Sequence, residues 1–146
     1  MNLFDSKAEA LINTVNCVGV MGKGVALKFK QKYPHNYSVY KEVCNNKQLK
    51  IGTCLTIKEE DRFIINFPTK QDWKNSSTLD YISQGLEALK RHIVHYNIKS
   101  VALPKLGCNH GGLDWNIVHK MIIDALDPLV EDKNCVLNYY DICEFY

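Results

Sequence analysis

Two glycine-containing stretches of the chain each follow an apolar run and precede a helical pattern. The first is residues 16–26, with Gly22 and Gly24, and the second is residues 107–115. In an α/β fold such loops lie at the carboxyl ends of strands, where N–H groups at helix N-termini bind anions. Glycine lets a phosphate or sugar approach the main chain, because it has no Cβ. The two loops therefore predict a cleft for a diphosphate.

The first loop departs from both common phosphate-binding motifs. A P-loop continues with Gly-Lys-Ser/Thr, but Val25 follows Gly24. A dinucleotide fingerprint needs a small residue three positions after Gly24, where Leu27 stands. A turn that only reverses the chain stays open as an alternative.

Three residues in or near these loops could take part in catalysis. His110 carries an imidazole, so it either contacts a phosphate and helps proton transfer or lines the rim. Lys70 follows an apolar run and Pro68, and by sequence alone it is typical of an exposed lysine. Asp114 is either an acid or base or, more in keeping with its place before a helical pattern, a helix cap.

Two tryptophans flank the candidate cleft. Trp115 and Trp73 either stack on a base or pack against the protein. Trp73 and Lys74 follow Lys70 closely, and this combination of an aromatic ring with lysines is well placed to meet a nucleobase.

The elements that must position these residues alternate between strands and helices. We predict strands at residues 8–15, 51–57, 62–67, 100–103 and 135–139, and helices at 25–33, around 37–44, at 79–96 and from Asp114 to Pro128. Ser77 is the predicted N-cap of the third helix. Its apolar positions recur at intervals of three and four: Leu79, Ile82, Leu86, Leu89, Ile93 and Tyr96. The fourth helix is expected to bury Ile117, Val118, Met121, Ile122 and Ala125.

This alternation predicts a mostly parallel, three-layer α/β sandwich, with a hairpin adding antiparallel pairing. The 146 residues fit one domain, 1–146. The net charge of +2 permits a nucleic-acid substrate but is lower than a dedicated nucleic-acid-binding domain carries.

Composition also limits where in the cell the protein is expected and whether it is expected to hold disulfides or a metal. No apolar run approaches the roughly 18 residues of a membrane span, and the first residues have no signal-peptide pattern, so we expect a cytoplasmic protein, or a nuclear one if the source is eukaryotic. The six cysteines show no Cys-x-x-Cys spacing, and His92 and His95 have no third ligand nearby. We therefore expect reduced thiols, no metal and no cofactor.

Three collinear stretches carry a resemblance to a known family. They are residues 13–26 (NTVNCVGVMGKGVA), 66–70 (NFPTK), and 103–108 (LPKLGC) with 111–115 (GGLDW). They resemble macrodomains, the ADP-ribose-binding fold, and most closely the branch of the DNA-directed bacterial antitoxins and the mammalian terminal ADP-ribose glycohydrolase. The resemblance implies a three-layer α/β/α macrodomain with a mixed, mostly parallel sheet.

The resemblance also implies the site. Lys70 would be catalytic, and it would attack the ribose C1″ or, while protonated, assist the leaving group. His110 is the second catalytic candidate, on its residue type and not on the resemblance. Asn16 would lie near the distal ribose, whereas Asn13 is expected to hydrogen-bond the backbone at the end of its strand. The full set of expected ligand-binding residues is Asn2, Leu3, Asn16, Met21, Gly22, Lys23, Gly24, Val25, Thr69, Leu106, Gly107, Cys108, Asn109, Gly111, Gly112 and Trp115.

The chain departs from the family pattern at two positions. Asn2 stands where many macrodomains have an aspartate that contacts the adenine amino group, and its amide oxygen retains an acceptor. Gly111 stands where the mammalian enzyme has a catalytic aspartate, and here the chain agrees with the DNA-directed antitoxins.

The resemblance predicts a hydrolase that removes ADP-ribose from a macromolecule, first among them ADP-ribosylated DNA with a nucleobase linkage. The alternatives are an ADP-ribose 1″-phosphate phosphatase and a non-catalytic ADP-ribose reader. The antitoxin likeness would imply a toxin ADP-ribosyltransferase as a functional partner, but a standalone processing enzyme stays equally open. We expect a monomer.

Overall fold

The computed structural model describes residues 1–131 and 136–144. Its strands form one five-stranded sheet in the order β2-β3-β1-β4-β5. Only the β2–β3 hairpin pairs antiparallel among these strands, and every other pair is parallel. The strands are β1 (Ala10–Asn16), β2 (Leu55–Glu59), β3 (Arg62–Lys70), β4 (Ser100–Leu103) and β5 (Tyr139–Ile142).

Four helices complete the three layers. They are α1 (Gly24–Lys32), α2 (Pro34–Asn45), α3 (Leu79–His95) and α4 (Trp115–Glu131). The predicted three-layer sandwich with a mixed, mostly parallel sheet is confirmed. None of the helices in the described residues combines the length and apolar character that crossing a bilayer needs.

Alternation along β1 divides the core between the two faces of the sheet. Leu11 packs with α1, whereas Ile12 packs with α3 and α4, because successive side chains of a strand point to opposite faces. Most of the apolar positions predicted for α3 and α4 are in the core. The buried ones are Ile82, Leu86, Leu89, Ile93, Val118, Ile122 and Ala125, and Met121 is half-buried. Three positions that we expected to be buried are partly exposed: Leu79 (38%), Tyr96 (39%) and Ile117 (46%).

The β2–β3 hairpin is tighter and longer than the sequence predicts. Glu60 and Asp61 both have positive φ, 52° and 63°, as a two-residue hairpin turn requires. Beyond this turn β3 continues through Pro68 to Lys70, three residues past the predicted end. Lys70 is therefore the last residue of a central strand.

Four further predicted boundaries are wrong, and the first of them is the start of β2, which begins at Leu55 rather than at residue 51. Thr78 rather than Ser77 caps α3, since the Thr78 hydroxyl accepts from the Tyr81 N–H at 3.1 Å. Helix α4 passes through Pro128 to Glu131, because proline so near a helix end removes one hydrogen bond and has a φ that helices accept.

The last strand begins at Tyr139, where its predicted range 135–139 ends. Residue 135 lies outside the described residues. An apolar run does not fix the register of a strand, which here is set by pairing of Ser100 with Tyr139.

A buried network of amides joins β1, β3 and α2. The Asn13 side-chain N–H donates to the Asn66 amide oxygen at 3.0 Å, and Asn36 and Asn66 exchange hydrogen bonds at 2.8 and 3.1 Å. All three residues are fully buried. Asn13 thus bonds a side chain, not the backbone that we expected.

Candidate functional site

The carboxyl ends of three parallel strands lie side by side at one edge of the sheet. Strand β1 sits between β3 and β4. In the register of the β1–β3 pair, Asn16 stands opposite Lys70. The loop after β1 (residues 17–23, the first loop), the loop after β4 (residues 104–114, the second loop) and the end of β3 therefore enclose one space.

This space is a cleft of about 570 Å³, a volume in the range of small-molecule sites. Most of its lining comes from the two loops and the first turn of α1. The lining residues are Thr14, Val15, Asn16, Val20, Gly22, Lys23, Gly24, Val25, Ala26, Thr69, Lys70, Trp73, Lys105, Gly107, Cys108, Asn109, His110 and Gly111.

The Asn16 side chain holds the backbone of the first loop through hydrogen bonds. Its amide oxygen accepts from the N–H groups of Val18 and Val20, at 3.1 and 3.3 Å, and its amide N–H donates to the Val20 carbonyl at 2.8 Å. The hydroxyl of the buried Tyr40 lies 2.8 Å from the Asn16 carbonyl and 2.9 Å from its amide oxygen. Asn16 is 7% exposed, so its main contribution is to fix the path of the first loop.

Lys70 lies across the cleft from the first loop. Its Nζ donates to the main-chain carbonyl of His110 at 3.0 Å, which joins the end of β3 to the second loop. Burial, and next the positive charge of Lys23, lower the pKa of the Lys70 amine from its ordinary value. Both effects favour the neutral amine, which is the nucleophilic form.

The His110 imidazole extends toward the first turn of α1. A Cβ built on Gly24 would lie 3.9 Å from both Cδ2 and Nε2 of the ring. Gly24 has a φ of +58°, and helix α1 begins there without a side-chain cap on Lys23. The unpaired N–H groups of that turn, the His110 ring and the Lys70 amine thus face one space that suits an anion.

The second loop is held tightly against β3. Ser77 N–H donates to the Gly111 carbonyl at 3.1 Å, and the Ser77 hydroxyl donates to the Thr69 carbonyl. A Cβ built on Gly111 would lie 2.3 Å from the Gly107 carbonyl oxygen. An aspartate at position 111 would therefore need a different path of the loop.

The charge of the cleft is positive. Among the described residues that line it, Lys23, Lys70 and Lys105 are cationic and none is acidic. Burial raises the pKa of the Cys108 thiol, which keeps it protonated at neutral pH. Within residues 1–131 and 136–144 no group of three or more His, Cys, Asp or Glu side chains is gathered to hold a metal. The cleft thus offers an amine, an imidazole and backbone donors to an anionic ligand.

Comparison with known proteins gives the family. The family model described as Macro domain matches residues 12–122, which include both loops and Lys70. The chain belongs to the macro domain family.

Curated relatives and solved structures support this assignment to the family. The DNA ADP-ribosyl glycohydrolase of Thermus aquaticus is 44% identical over 132 residues, which cover 88% of this chain and 37% of that protein. The macrodomain of Mycobacterium tuberculosis DarG superposes with a TM-score of 0.88 at 41% identity, covering 99% of this chain and 92% of that one. Thermosipho africanus DarTG, solved in complex with ADP-ribose, gives a TM-score of 0.84 at 33% identity, covering 97% of this chain and 39% of that one. The chain spans less than two fifths of the length of the curated DNA ADP-ribosyl glycohydrolases that it matches.

Twelve residues expected in the site of this macro domain line its cleft. They are Asn16, Gly22, Lys23, Gly24, Val25, Thr69, Lys70, Gly107, Cys108, Asn109, His110 and Gly111. Asp114 also does what its position indicates: its carboxylate accepts from the Asn116 N–H at 2.9 Å, as a cap of α4.

Six expected residues do not line the cleft. Leu3, Met21 and Leu106 are at most 2% exposed and pack in the core. Asn2 uses its amide oxygen to accept from the Phe4 N–H at 3.0 Å, which caps a short 3₁₀ turn at Leu3–Asp5. Its acceptor is thus already engaged.

The other two of the six stand beside the second loop. Gly112 is exposed with a φ of +78°. The Trp115 ring stacks on His119, with 4.9 Å between ring centroids, and the Lys105 ammonium lies 5.4 Å from the indole centroid. Trp115 therefore supports a lysine of the cleft.

Five lining residues were not expected in the site: Thr14, Val15, Val20, Ala26 and Lys105. Four of them are small or apolar, and nothing in their type distinguishes them from core residues. Lys105 follows β4 by two residues, so its place before the second glycine loop was the available signal.

Proposed function

We propose that this macro domain binds ADP-ribose and hydrolyses the glycosidic bond that joins ADP-ribose to a macromolecule, with a nucleobase of DNA as the first candidate. The observation that carries the proposal is the position of the Lys70 amine, at the end of β3 between the two glycine-containing loops. A protein that only binds ADP-ribose gains nothing from an amine with a lowered pKa in that place.

Backbone donors of the cleft support the binding half of the proposal. The first turn of α1 and the second loop face each other, so N–H groups approach a diphosphate from two sides. Lys23 and Lys105 add positive charge. The named activity of the Thermus aquaticus relative and the ADP-ribose bound to Thermosipho africanus DarTG agree with this ligand.

Chemistry at C1″ would use the neutral Lys70 amine as nucleophile. Nζ forms a bond to C1″ while the bond from C1″ to the base nitrogen breaks, and that nitrogen takes up one proton as the amine loses one. Water then adds to C1″, the amine leaves, and free ADP-ribose and the original lysine result. Protonated Lys70 assisting the leaving group is the other role that its position permits.

The test is release of ADP-ribose from a single-stranded oligonucleotide modified on one thymidine or one guanosine. Wild type is expected to release ADP-ribose, and Lys70→Ala is expected to lose at least about a hundredfold in rate while still binding free ADP-ribose. Lys120→Ala serves as the matched control, because Lys120 is an exposed lysine of α4 paired with Asp124 at 2.7 Å.

Borohydride reduction during turnover separates the two roles of the lysine. Ring opening of the ribose converts the Nζ–C1″ adduct into an imine, and borohydride reduces this imine to a stable secondary amine. A nucleophilic Lys70 therefore leaves ADP-ribose attached to its own peptide, whereas an acid leaves none. If wild type binds ADP-ribose but releases none from DNA, protein or the 1″-phosphate, the protein is a reader. Release from the 1″-phosphate alone would make it the phosphatase.

For the longer proteins that carry such a domain, we propose an ADP-ribosyltransferase as the functional partner. The support is the fusion protein of Thermosipho africanus, whose name joins a DNA ADP-ribosyl transferase to a DNA ADP-ribosyl glycohydrolase. Co-expression tests this: the chain is expected to relieve growth arrest caused by a DNA-modifying transferase, and Lys70→Ala is not.

A further inference from the structure

An exposed tryptophan stands at the mouth of the cleft. Trp73 lines the cavity and is nevertheless 47% exposed. Tryptophan is enriched at binding surfaces, because its ring offers a large apolar face together with one hydrogen-bond donor. Trp73 is three positions after Lys70, and both side chains line the cleft that holds the proposed reaction centre.

The segment that carries Trp73 has a defined shape. Its Gln71 carbonyl accepts from the Cys17 N–H at 3.1 Å, which ties it to the first loop. Asp72 then accepts from the N–H groups of Lys74 and Asn75, each at 3.0 Å. This turn presents Trp73 outward beside the cleft.

A cationic side chain lies beside the indole. The Lys74 ammonium lies 5.3 Å from the centroid of the Trp73 ring. Val20 of the first loop, which lines the same cleft as Trp73, is 40% exposed. The acidic neighbour Asp72 is engaged through its carboxylate by the Lys74 N–H. An aromatic face with lysines beside it is the combination that binds a base and its phosphate in unpaired nucleic acid.

We propose that Trp73 and Lys74 form a platform for one unpaired nucleotide of the strand that carries ADP-ribose. The inference rests on the proposed function and adds the residues that would hold the nucleic-acid strand next to the modified nucleotide. The indole stacks on a base, and the Lys74 ammonium pairs with the adjacent phosphate. A base within a duplex is covered by its stacking neighbours, so it cannot offer its face to Trp73.

Binding is measured in the Lys70→Ala background, so that the substrate is not consumed. Trp73→Ala is expected to raise Kd for a singly ADP-ribosylated, single-stranded oligonucleotide about tenfold or more, since stacking on an aromatic side chain contributes that much. Kd for free ADP-ribose is expected to stay within about twofold. Trp73→Phe keeps an aromatic face and is expected to recover most of the loss.

Salt dependence tests Lys74 separately. The slope of log K against log salt is expected to fall by about 0.7 in Lys74→Ala, the value for one phosphate contact of a single strand. Lys120→Ala, the exposed control on α4, is expected to leave the slope unchanged. In the Lys70→Ala background, annealing the complementary strand is expected to weaken binding of the oligonucleotide, and adding Trp73→Ala is expected to remove most of this difference.

Each contrary result overturns the platform. One is an unchanged Kd of Trp73→Ala for the oligonucleotide. Another is an equal loss for the oligonucleotide and free ADP-ribose, which would place Trp73 in the ADP-ribose pocket itself. A third is the same dependence on Trp73 for an ADP-ribosylated peptide. A wild type that binds the oligonucleotide but never releases ADP-ribose refutes the hydrolase and leaves the platform standing, so the two failures are distinguishable.

Discussion

Removal of the Tyr40 hydroxyl tests whether Asn16 holds the first loop in its ligand-binding shape. Tyr40 is fully buried on α2, and its one O–H lies within hydrogen-bond distance of both oxygens of Asn16, at 2.8 and 2.9 Å. Burial raises the pKa of Tyr40 far above its ordinary value, so the hydroxyl stays a donor at every pH of interest. Tyr40→Phe keeps the ring and deletes only this donor.

The expected magnitude follows from what each oxygen retains. The Asn16 amide oxygen still accepts from the Val18 and Val20 N–H groups, whereas the Asn16 carbonyl loses its side-chain donor. One lost hydrogen bond and one weakened buried acceptor together lower the free energy of unfolding by about 1–3 kcal/mol. If roughly half of this energy maintains the bound shape of the loop, Kd for ADP-ribose rises by a factor of about 2 to 12.

Chemical denaturation measures the stability, and calorimetric titration measures the affinity. Tyr33→Phe is the matched control, because Tyr33 is also buried but its hydroxyl has no hydrogen bond to the described residues. The control is expected to change both quantities by less than about 0.5 kcal/mol. Equal effects of the two substitutions, or a Tyr40→Phe that loses stability without any loss of affinity, would refute the role assigned to Asn16.

Three further predictions follow from the same geometry. Lys23→Gln removes a positive charge that lowers the pKa of Lys70, so the pKa rises and the rising limb of a pH–rate profile moves to higher pH; an unmoved limb would contradict this coupling. Gly85→Ala would place a Cβ 2.3 Å from the Phe67 ring, so α3 must shift and the free energy of unfolding falls by about 1–3 kcal/mol in urea denaturation. Gly111→Ala would place a Cβ 2.3 Å from a main-chain oxygen of the second loop, and calorimetry is expected to show at least about a tenfold loss of ADP-ribose affinity in a protein that remains folded.

The two glycine-containing loops were predictable because their composition is local. Gly22 and Gly24, or Gly107 and Gly111, mark loops between a strand and a helix whatever the rest of the chain does. The α/β class was predictable for a similar reason, since hydrophobic periodicity records which face of each element is buried.

The roles of the asparagines were not predictable from residue type. Asn13 and Asn16 have the same side chain at the two ends of a four-residue stretch, but Asn13 bonds the Asn66 side chain and Asn16 bonds the backbone of the first loop. Which partner an amide meets depends on Asn36, Tyr40 and Asn66, distant residues that the fold brings to β1.

By itself, the sequence determined the alternation of strands and helices, the glycines of the two loops and the family pattern around Lys70. The tertiary structure decided that β1 lies between β3 and β4, which sets Asn16 opposite Lys70 and brings the Lys70 amine to the carbonyl of His110. It also decided that Leu3, Met21 and Leu106 belong to the core. The physical reason is that strand order and burial arise from contacts between residues far apart in the chain, which local patterns do not record.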